Sequence, residues 1–405
     1  MKRVSVIGLG YIGLPTAALL SKHFRVTGVD TDETVIKSIN SGVPHIEEKD
    51  LLECLKKARA QHGFTVSQNI TKSDIFIVTV PTPINEVNGD PDLSFVKSAI
   101  ISISKVLQEG NLIIIESTCP PGTTERMRCE IQNIRPDLTE KNEDNEYIDK
   151  FHLAYCPERV LPGKMLEELV MNDRVIGGTT PVSSELAVKF YKKFILGTCI
   201  IASNSTTAEL CKLVENSFRD VNIAFANELS IFCAKANIDV WELINLANRH
   251  PRVSILEPGP GVGGHCIAVD PWFLVNYDQA TTKLIAGARK INDEKPNFVL
   301  DQVIDLALRE LDKKIICCGI TFKPDIDDIR NSPSLLIFNK LEEMFGSRVW
   351  YSDPHVNLKN KQSFAVESIA ESSDILVLLV DHLEFLQIAP RSKNIIDTRG
   401  KWKID

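Results

Sequence analysis

The 405-residue sequence predicts an α/β protein with two α/β domains, joined by a long central helix and a helical domain. Three observations lead to this class. A buried strand with a glycine-rich turn opens the chain, residues 206–236 contain neither proline nor glycine, and four apolar strand segments occupy the last third. We predict domain bounds at 1–200, 201–296 and 297–405, because one hydrophobic core rarely extends over 405 residues.

Composition and charge narrow the class of protein. The chain is 43% hydrophobic and 25% charged, which is typical of soluble globular proteins. Its net charge of -8 comes without a basic stripe, so we expect no nucleic-acid partner and no membrane partner. The ten cysteines are scattered and form no C-x-x-C pair, which favours reduced thiols and a cytoplasmic location.

The first domain opens with a dinucleotide-binding pattern. A strand at residues 4–7 is followed by Gly8-Leu9-Gly10-Tyr11-Ile12-Gly13, a helix at 14–23 and a strand at 24–29 that ends at Asp30. Such glycines let a pyrophosphate approach a helix N-terminus, and the acid can bind ribose hydroxyls. The pattern predicts a Rossmann-like domain that binds NAD rather than NADP. The alternative is the same turn without a ligand.

Three later strands of this domain, at residues 75–80, 112–116 and 153–156, end in polar loops. Ligands of open α/β sheets bind beyond the carboxyl ends of the strands, which makes Thr82 and Thr118 candidates for the cofactor side. The third strand leads to Glu158 and Arg159. This neighbouring acid and base can contact a substrate or form a surface ion pair, and the sequence leaves both interpretations open.

A single helix of about 45 Å is predicted for residues 206–236. Lys212, Asn216 and Arg219 lie on one face of it, since they are spaced at i, i+4 and i+7. A polar stripe of this kind is often a solvated face. Residues 221–226, however, are apolar on nearly every side, which favours a helix buried between domains or subunits.

The most unusual stretch is the loop at residues 258–271. Four glycines and two prolines precede Cys266, so the backbone has a defined shape that is neither helix nor strand. A thiol at the end of such a loop can act as a nucleophile, whereas a structural turn with an inert cysteine is the alternative. The preceding segment 249–252 adds cationic groups. No spacing supports His250 or His265 as metal ligands, so we expect no metal.

After Pro296 the sequence predicts an amphipathic helix and a second Rossmann-like unit with strands at 315–320, 348–352, 375–380 and 394–396. No glycine fingerprint follows the first of these strands, so a ligand other than a dinucleotide is expected. Lys323, Arg330 and Arg399 stand at strand ends and suit a phosphorylated ligand, although they can also be ordinary surface cations.

Together these motifs resemble the UDP-glucose/GDP-mannose dehydrogenase family over essentially the whole chain. The blocks that match are 155–163 (YCPERVLPG), 215–222 (ENSFRDVN), 249–252 (RHPR) and 261–266 (GVGGHC). In the UDP-glucose branch a second acid follows the strand-end glutamate by four positions, where this chain has Pro162. This departure argues against UDP-glucose as the substrate.

The resemblance implies a four-electron oxidation in which two NAD+ convert the C6 alcohol of a UDP-sugar to a carboxylate. It makes Cys266 the nucleophile, Lys212 the proton donor and acceptor, Asn216 the group that stabilises oxyanions and Asp270 a group that steers protons. It also implies a homodimer, formed through the helical domain as its dimerisation domain. The implied NAD contacts are Tyr11, Ile12, Asp30, Thr82, Thr118 and Arg330. The implied UDP-sugar contacts are Glu158, Arg159, Val160, Lys212, Asn216, Arg219, His250, Arg252, Gly263, Phe322, Lys323 and Arg399, the last standing where the family pattern has lysine.

Two other classes are compatible with parts of this pattern. A 6-phosphogluconate-type or 3-hydroxyacyl dehydrogenase releases its product after one hydride transfer and needs no cysteine loop. A non-catalytic NAD-binding protein needs none of Lys212, Asn216 and Cys266. The yield of NADH per sugar distinguishes the three classes, since it is two, one and zero respectively.

Overall fold

The computed structural model describes residues 1–46, 48, 50–60, 63–85, 89–142, 147–160 and 163–402. They divide into two compact units, Met1–Val214 and Glu215–Asp405. Pro162, whose identity bears on the substrate, lies outside the described residues, as does Leu161. No helix among the described residues combines the length and the apolar character that crossing a bilayer requires.

The first unit contains an eight-stranded sheet in the order β10-β9-β8-β5-β4-β1-β2-β3. Its neighbouring strands are parallel except β8 and β9, which are antiparallel. A separate antiparallel pair is formed by β6 and β7. The strands are β1 (Arg3–Ile7), β2 (Arg25–Val29), β3 (Phe64–Ser67), β4 (Ile75–Val78), β5 (Leu112–Ile115), β6 (Thr139–Lys141), β7 (Tyr147–Asp149), β8 (His152–Tyr155), β9 (Arg174–Gly178) and β10 (Cys199–Ile201).

Both faces of this sheet are covered. Every residue of β4 and β5 is buried, as is usual for central parallel strands packed between helices. Because successive side chains point to opposite faces, Ile75 and Ile77 belong to one apolar cluster, and Phe76 and Val78 belong to the other. The helices of the unit are α1 (Gly13–Leu20), α2 (Glu33–Ser41), α3 (Leu51–Ala60), α4 (Ser94–Ser104), α5 (Thr123–Ile134), α6 (Met165–Met171) and α7 (Pro181–Tyr191).

The second unit contains a four-stranded parallel sheet in the order β12-β11-β13-β14. Its strands are β11 (Ile315–Cys318), β12 (Val349–Ser352), β13 (Ile375–Leu378) and β14 (Ile395–Asp397). The long helix α8 (Ser205–Ala236) begins in the first unit and ends in the second. The other helices are α9 (Val240–Ala247), α10 (Asp270–Tyr277), α11 (Lys283–Arg309), α12 (Pro333–Phe345) and α13 (Leu383–Leu386).

The fold class predicted from the sequence is confirmed, and the long helix begins within one residue of its predicted start. The helix predicted to follow Pro296 is wrong in its start, because α11 begins at Lys283 and contains Pro296. Residues 221–226 are also less uniformly buried than predicted, since Phe225 is exposed whereas Ala224 and Ala226 are buried. An apolar sequence does not by itself show which of its faces the chain covers.

Candidate functional site

The glycine-rich turn between β1 and α1 is shaped by close backbone approaches. The Gly8 N–H donates to the Val29 carbonyl at 2.8 Å, which joins the turn to β2. A Cβ on Gly13 would lie 1.8 Å from the Gly8 carbonyl oxygen, so no larger residue fits there. A Cβ on Gly10, in contrast, would meet no atom within 4 Å. The turn is therefore closely packed at Gly13 and open at Gly10, so a pyrophosphate can approach the backbone on the Gly10 side.

Asp30 lies beside this turn, at the end of β2. Its carboxylate accepts the Leu9 N–H at 2.8 Å and the Asp32 N–H at 2.9 Å. The acid is thus fixed next to the glycines, where it can bind ribose hydroxyls. Burial lowers the pKa of the nearby His45, against the charge of Asp30. His45 could not be predicted from the sequence, because no local pattern marks a histidine that approaches Asp30 through a loop.

Lys212 and Thr118 meet at the carboxyl end of β5. The Lys212 ammonium donates to the Thr118 hydroxyl at 2.7 Å, and both side chains are half-buried. Glu209, one turn earlier on α8, accepts the Gly122 N–H at 2.6 Å and the Thr124 N–H at 2.7 Å. This buried carboxylate, which sequence analysis also missed, attaches α8 to the loop that contains Thr118. Thr82 is half-buried in the loop that follows β4.

The segment after β8 is attached through a buried ion pair. Glu158 is only 4% exposed, and its carboxylate accepts from the Arg174 guanidinium and from the Arg159 N–H. The Arg159 side chain donates to the Asp173 carbonyl at 2.6 Å, while Val160 is half-buried. Glu158 therefore fixes the backbone of its own segment, and its partner Arg174 could not be identified from the local sequence.

Glu116 lies below these loops in the same interior. Its side chain is buried, and its carboxyl accepts the Tyr191 hydroxyl at 2.5 Å. Burial, followed by the repulsion from Glu158, raises the pKa of Glu116 from 4.5 to about 7. The interior of the first unit thus contains a carboxyl that titrates near neutral pH.

In the second unit, the residues before Cys266 pack closely against the segment that follows β11. A Cβ on Gly263 would lie 2.6 Å from the Asn331 carbonyl oxygen and 2.8 Å from the Phe322 Cβ. Glycine is therefore required where the loop crosses Phe322. Beyond this crossing the chain turns, and Cys266 is exposed to solvent. The nucleophile candidate is thus presented at the end of a closely packed loop.

The turn after Cys266 is attached to α8. The Asp270 N–H donates to the Cys266 carbonyl at 2.8 Å, which places the start of α10 against the cysteine. The Asp270 carboxylate is 3% exposed and accepts from the Asn216 amide at 2.6 Å. Cys266 and Asp270 of the loop at 258–271 and Asn216 of α8 are therefore brought together in the second unit.

Two cysteines of the first unit, Cys119 and Cys156, are the alternative candidates for the nucleophile, and their environment differs from that of Cys266. Cys119 and Cys156 are completely buried, and burial raises the pKa of each thiol far above its ordinary value. A nucleophilic cysteine must ionise and be accessible. These two cysteines are therefore poor nucleophiles, whereas Cys266 is accessible. No disulfide joins the ten cysteines, all of which lie within the described residues.

Arg399 contacts the start of the cysteine loop. Its guanidinium pairs with Asp381 at 2.8 Å and donates to the Pro258 carbonyl at 3.3 Å. Arg330 pairs with Asp328 at 2.6 Å and is half exposed, while Lys323 is exposed. The remaining cationic candidates, Arg219, His250 and Arg252, are also exposed side chains of the second unit.

One group of metal-ligand type occurs among the described residues, formed by Asp325, His355 and His382. The buried ring of His382 already has protein partners on both nitrogens. Its Nδ1 accepts the Asp325 N–H at 2.9 Å, and its Nε2 lies 3.3 Å from the Asp353 carboxylate. These contacts account for His382 as a structural residue, and we assign no metal to the group.

Comparison with known proteins gives matches along the whole chain. Three models of the UDP-glucose/GDP-mannose dehydrogenase family match: its NAD binding domain at residues 2–195, its central domain at 206–294 and its UDP binding domain at 316–404. A UDP-N-acetyl-D-mannosamine dehydrogenase from Escherichia coli strain K12 is 46% identical over 99% of both chains. An NDP-N-acetyl-D-galactosaminuronic acid dehydrogenase from Ralstonia nicotianae is also 46% identical, over 99% of this chain and 96% of the relative.

Solved structures are also similar to this chain over nearly its whole length. The structure of a UDP-D-ManNAc dehydrogenase from Pyrococcus horikoshii is similar with a TM-score of 0.88 and 38% identity, covering 100% of this chain and 96% of the other. The UDP-N-acetyl-mannosamine dehydrogenase of Staphylococcus aureus is similar with a TM-score of 0.86 and 39% identity, covering 99% and 95%.

Proposed function

Because the chain belongs to the UDP-glucose/GDP-mannose dehydrogenase family, we propose that it oxidises UDP-N-acetyl-D-mannosamine at C6 to the uronate. The cofactor is NAD, and the reaction consumes two NAD+ per sugar. Relatives of that name at 46% identity support the N-acetylmannosamine sugar. We further assign the product to surface polysaccharide biosynthesis.

The exposed thiol of Cys266 is the observation on which the proposed chemistry depends. Oxidation of the C6 alcohol gives an aldehyde, and the sulfur of Cys266 adds to its carbon to form a thiohemiacetal. Oxidation of this adduct gives a thioester. Water then hydrolyses the thioester, which releases the carboxylate product and regenerates the Cys266 thiol. A covalent adduct retains the aldehyde between the two oxidations. The cofactor, when bound, accepts one hydride in each of them.

Three polar side chains are assigned to the proton transfers and to the stabilisation of charge. We propose that Lys212, in its neutral amine form, takes the proton of the C6 hydroxyl and returns protons in the later steps. Its contact with Thr118 at 2.7 Å orients the Lys212 nitrogen. The Asn216 amide would stabilise the oxyanion of the adduct. Asp270, which accepts from Asn216, would fix that amide and direct protons near the thiol.

The residues that would bind NAD belong to the turn and the strand ends. The turn from Gly8 to Gly13, with Tyr11 and Ile12, would receive the pyrophosphate, and Asp30 would bind the ribose hydroxyls. Thr82, Thr118 and Arg330 complete the proposed set. The fit rests on the open side of the turn at Gly10 and on the fixed position of Asp30.

We propose a set of twelve UDP-sugar contacts that follows the family pattern. Residues around the cysteine loop support this set most strongly, because Gly263 packs on Phe322 and Arg399 contacts Pro258. The full set is Glu158, Arg159, Val160, Lys212, Asn216, Arg219, His250, Arg252, Gly263, Phe322, Lys323 and Arg399. We keep the division into an NAD domain at 1–200, a helical domain at 201–296 and a UDP-sugar domain at 297–405 as part of the proposal.

We also propose a homodimer. Phe218, Phe225 and Phe232 recur every seven residues on α8 and are 68%, 52% and 63% exposed. Three large aromatic side chains along one helix face are costly to leave in water, so a second copy of the chain is the partner that this face requires.

A panel of UDP-sugars tests the proposal. We expect the purified protein to oxidise UDP-N-acetyl-D-mannosamine with two NADH formed per sugar. UDP-N-acetyl-D-glucosamine and UDP-N-acetyl-D-galactosamine are the alternatives, the latter because a relative of equal identity has a galactosaminuronic acid name. A yield of one NADH per sugar would contradict the thioester route, and turnover of another epimer alone would change the substrate.

A further inference from the structure

A buried chain of polar side chains reaches the cysteine loop from its N-terminal side. The Gly259 N–H donates to the Asn227 Oδ1 at 2.9 Å, and the Asn227 Nδ2 donates to the Asn292 Oδ1 at 2.9 Å. The Asn292 Nδ2 donates in turn to the Asp220 carboxylate at 2.8 Å. Arg289 completes the chain with a contact of 2.5 Å to the same carboxylate oxygen.

The direction of every hydrogen bond in this chain is determined by its ends. Arg289 can only donate and an ionised Asp220 can only accept, so Asn292 must turn its NH2 group toward Asp220. Its oxygen then faces Asn227, whose NH2 group must donate to it. The Asn227 oxygen is left to accept the Gly259 N–H, which can only donate. One ion pair thus fixes the orientation of two amides and of a backbone group.

Burial makes this chain of hydrogen-bonded side chains rigid. Arg289, Asp220, Asn227 and Asn292 are each at most 1% exposed, so water does not replace a lost partner without rearrangement. Asp220 and Asn227 lie on the same face of α8 as Asn216, at i+4 and i+11. That face therefore fixes the cysteine loop at two points, through Asp270 after the thiol and through Gly259 before it.

We propose that Asn227 and Asn292 are positioning residues, which hold Gly259 and thereby set where the loop places the Cys266 thiol. The proposal rests on the proposed function only for its effect on turnover. Its effect on the loop itself is independent of any substrate. A displacement of about 1 Å at a reacting atom can lower a rate by about 10²-fold, so the loss of one attachment point is expected to reduce turnover.

Two single variants and one double variant test the direction of the chain. Asn227→Leu removes the acceptor of Gly259. Asn292→Asp places a carboxylate oxygen against Asp220, and this repulsion breaks the chain. The double variant Asp220→Asn/Asn292→Asp can again place an NH2 group opposite a carboxylate at the side-chain contact. The second bond of Asn292, to the Asp220 backbone carbonyl at 3.0 Å, stays broken in it. Asn297→Ala is the control, because Asn297 lies exposed on α11 and bonds to Lys340.

Hydrogen exchange of residues 255–270 and steady-state kinetics are measured on each full-length variant. For Asn227→Leu and Asn292→Asp we expect loop exchange faster by about tenfold or more, kcat lower by about tenfold or more, and KM within about threefold of wild type. The double variant should recover part of both losses, because the side-chain contact is restored while the bond to the Asp220 backbone carbonyl is not. Asn297→Ala should match wild type in both measurements.

Several results would overturn the proposal. Wild-type kcat in a folded Asn227→Leu or Asn292→Asp variant would show that the attachment does not position the thiol. A double variant no better than Asn292→Asp alone would show that the polarity of the chain is irrelevant. If Asn227→Leu does not fold, the comparison of Asn292→Asp with the double variant decides. If wild type oxidises no UDP-sugar, the proposed function fails, while the exchange rates still test the attachment.

Discussion

Replacing Glu116 by glutamine should remove a pH dependence from the stability of the first unit. The glutamine side chain has the same shape and can still accept the Tyr191 hydroxyl, so the packing around it is retained. It cannot ionise, however. Any difference between the two proteins that changes with pH therefore reports on the Glu116 carboxyl, whereas a constant offset reports on the exchange of an oxygen for an NH2 group.

The magnitude follows from the raised pKa. The unfolded chain has Glu116 at its ordinary pKa of 4.5, and the folded protein has it at about 7. The folded state therefore binds more protons between these values, and the stabilisation is complete below pH 4.5 and is lost as the pH rises through 7. Between pH 5 and pH 8 this linkage lowers the free energy of unfolding of wild type by about 2 to 3 kcal/mol.

Amide hydrogen exchange of β5 is the suitable assay. All four tryptophans, at positions 241, 272, 350 and 402, lie in the second unit, so their fluorescence would not follow the first. Comparison of wild type with Glu116→Gln at equal pH cancels the intrinsic exchange rates. The variant should gain about 2 to 3 kcal/mol in the free energy of unfolding relative to wild type between pH 5 and pH 8. For the surface control Glu125→Gln, the difference in unfolding free energy from wild type should not change between pH 5 and pH 8. If the difference for Glu116→Gln were equally independent of pH, the idea that Glu116 ionises in the buried interior would be refuted.

Three further predictions concern the cofactor, the nucleophile and the assembly. Asp30→Asn should reduce the preference for NAD over NADP by roughly ten- to a hundredfold, and equal kcat/KM for both cofactors in wild type would contradict the role of Asp30. Cys266→Ser should lose several powers of ten in turnover, each worth about 1.4 kcal/mol, while Cys119→Ser and Cys156→Ser keep most activity. Phe225→Asp should give a monomeric mass in light scattering, and a monomeric wild type at micromolar concentration would exclude the dimer.

Local patterns were sufficient for the features that depend on the backbone. The glycine turn, the long helix and the cysteine loop each follow from residue types within one segment, and the structure contains all three. The start of α11 was missed because a proline usually ends a helix, whereas here Pro296 lies inside one and packs near Gly261. Helix signals based on proline give a preference, and tertiary packing can override it.

Long-range partners could not be predicted in the same way. Glu209 binds the loop at Gly122 from 87 residues away, and Asn292 meets Asn227 from 65 residues away. Neither segment contains a signal that identifies its partner. A buried polar group needs a hydrogen-bond partner that is close in the folded structure, and that partner can lie anywhere in the sequence. The residues that present the thiol candidate were therefore visible from the sequence, whereas those that fix its position required the structure.

Helix α8 has different tasks on its two sides within the second unit. Asn216, Asp220 and Asn227 face the cysteine loop, while Phe218 and Phe225 are each offset by two residues and thus point to the opposite side. A substitution on the phenylalanine side can affect the cysteine loop only by displacing the helix. A substitution on the asparagine side can likewise affect the exposed phenylalanine face only by displacing the helix. Assembly and loop position therefore share one rigid element, which is why the control for the asparagine chain is placed on α11 and not on α8.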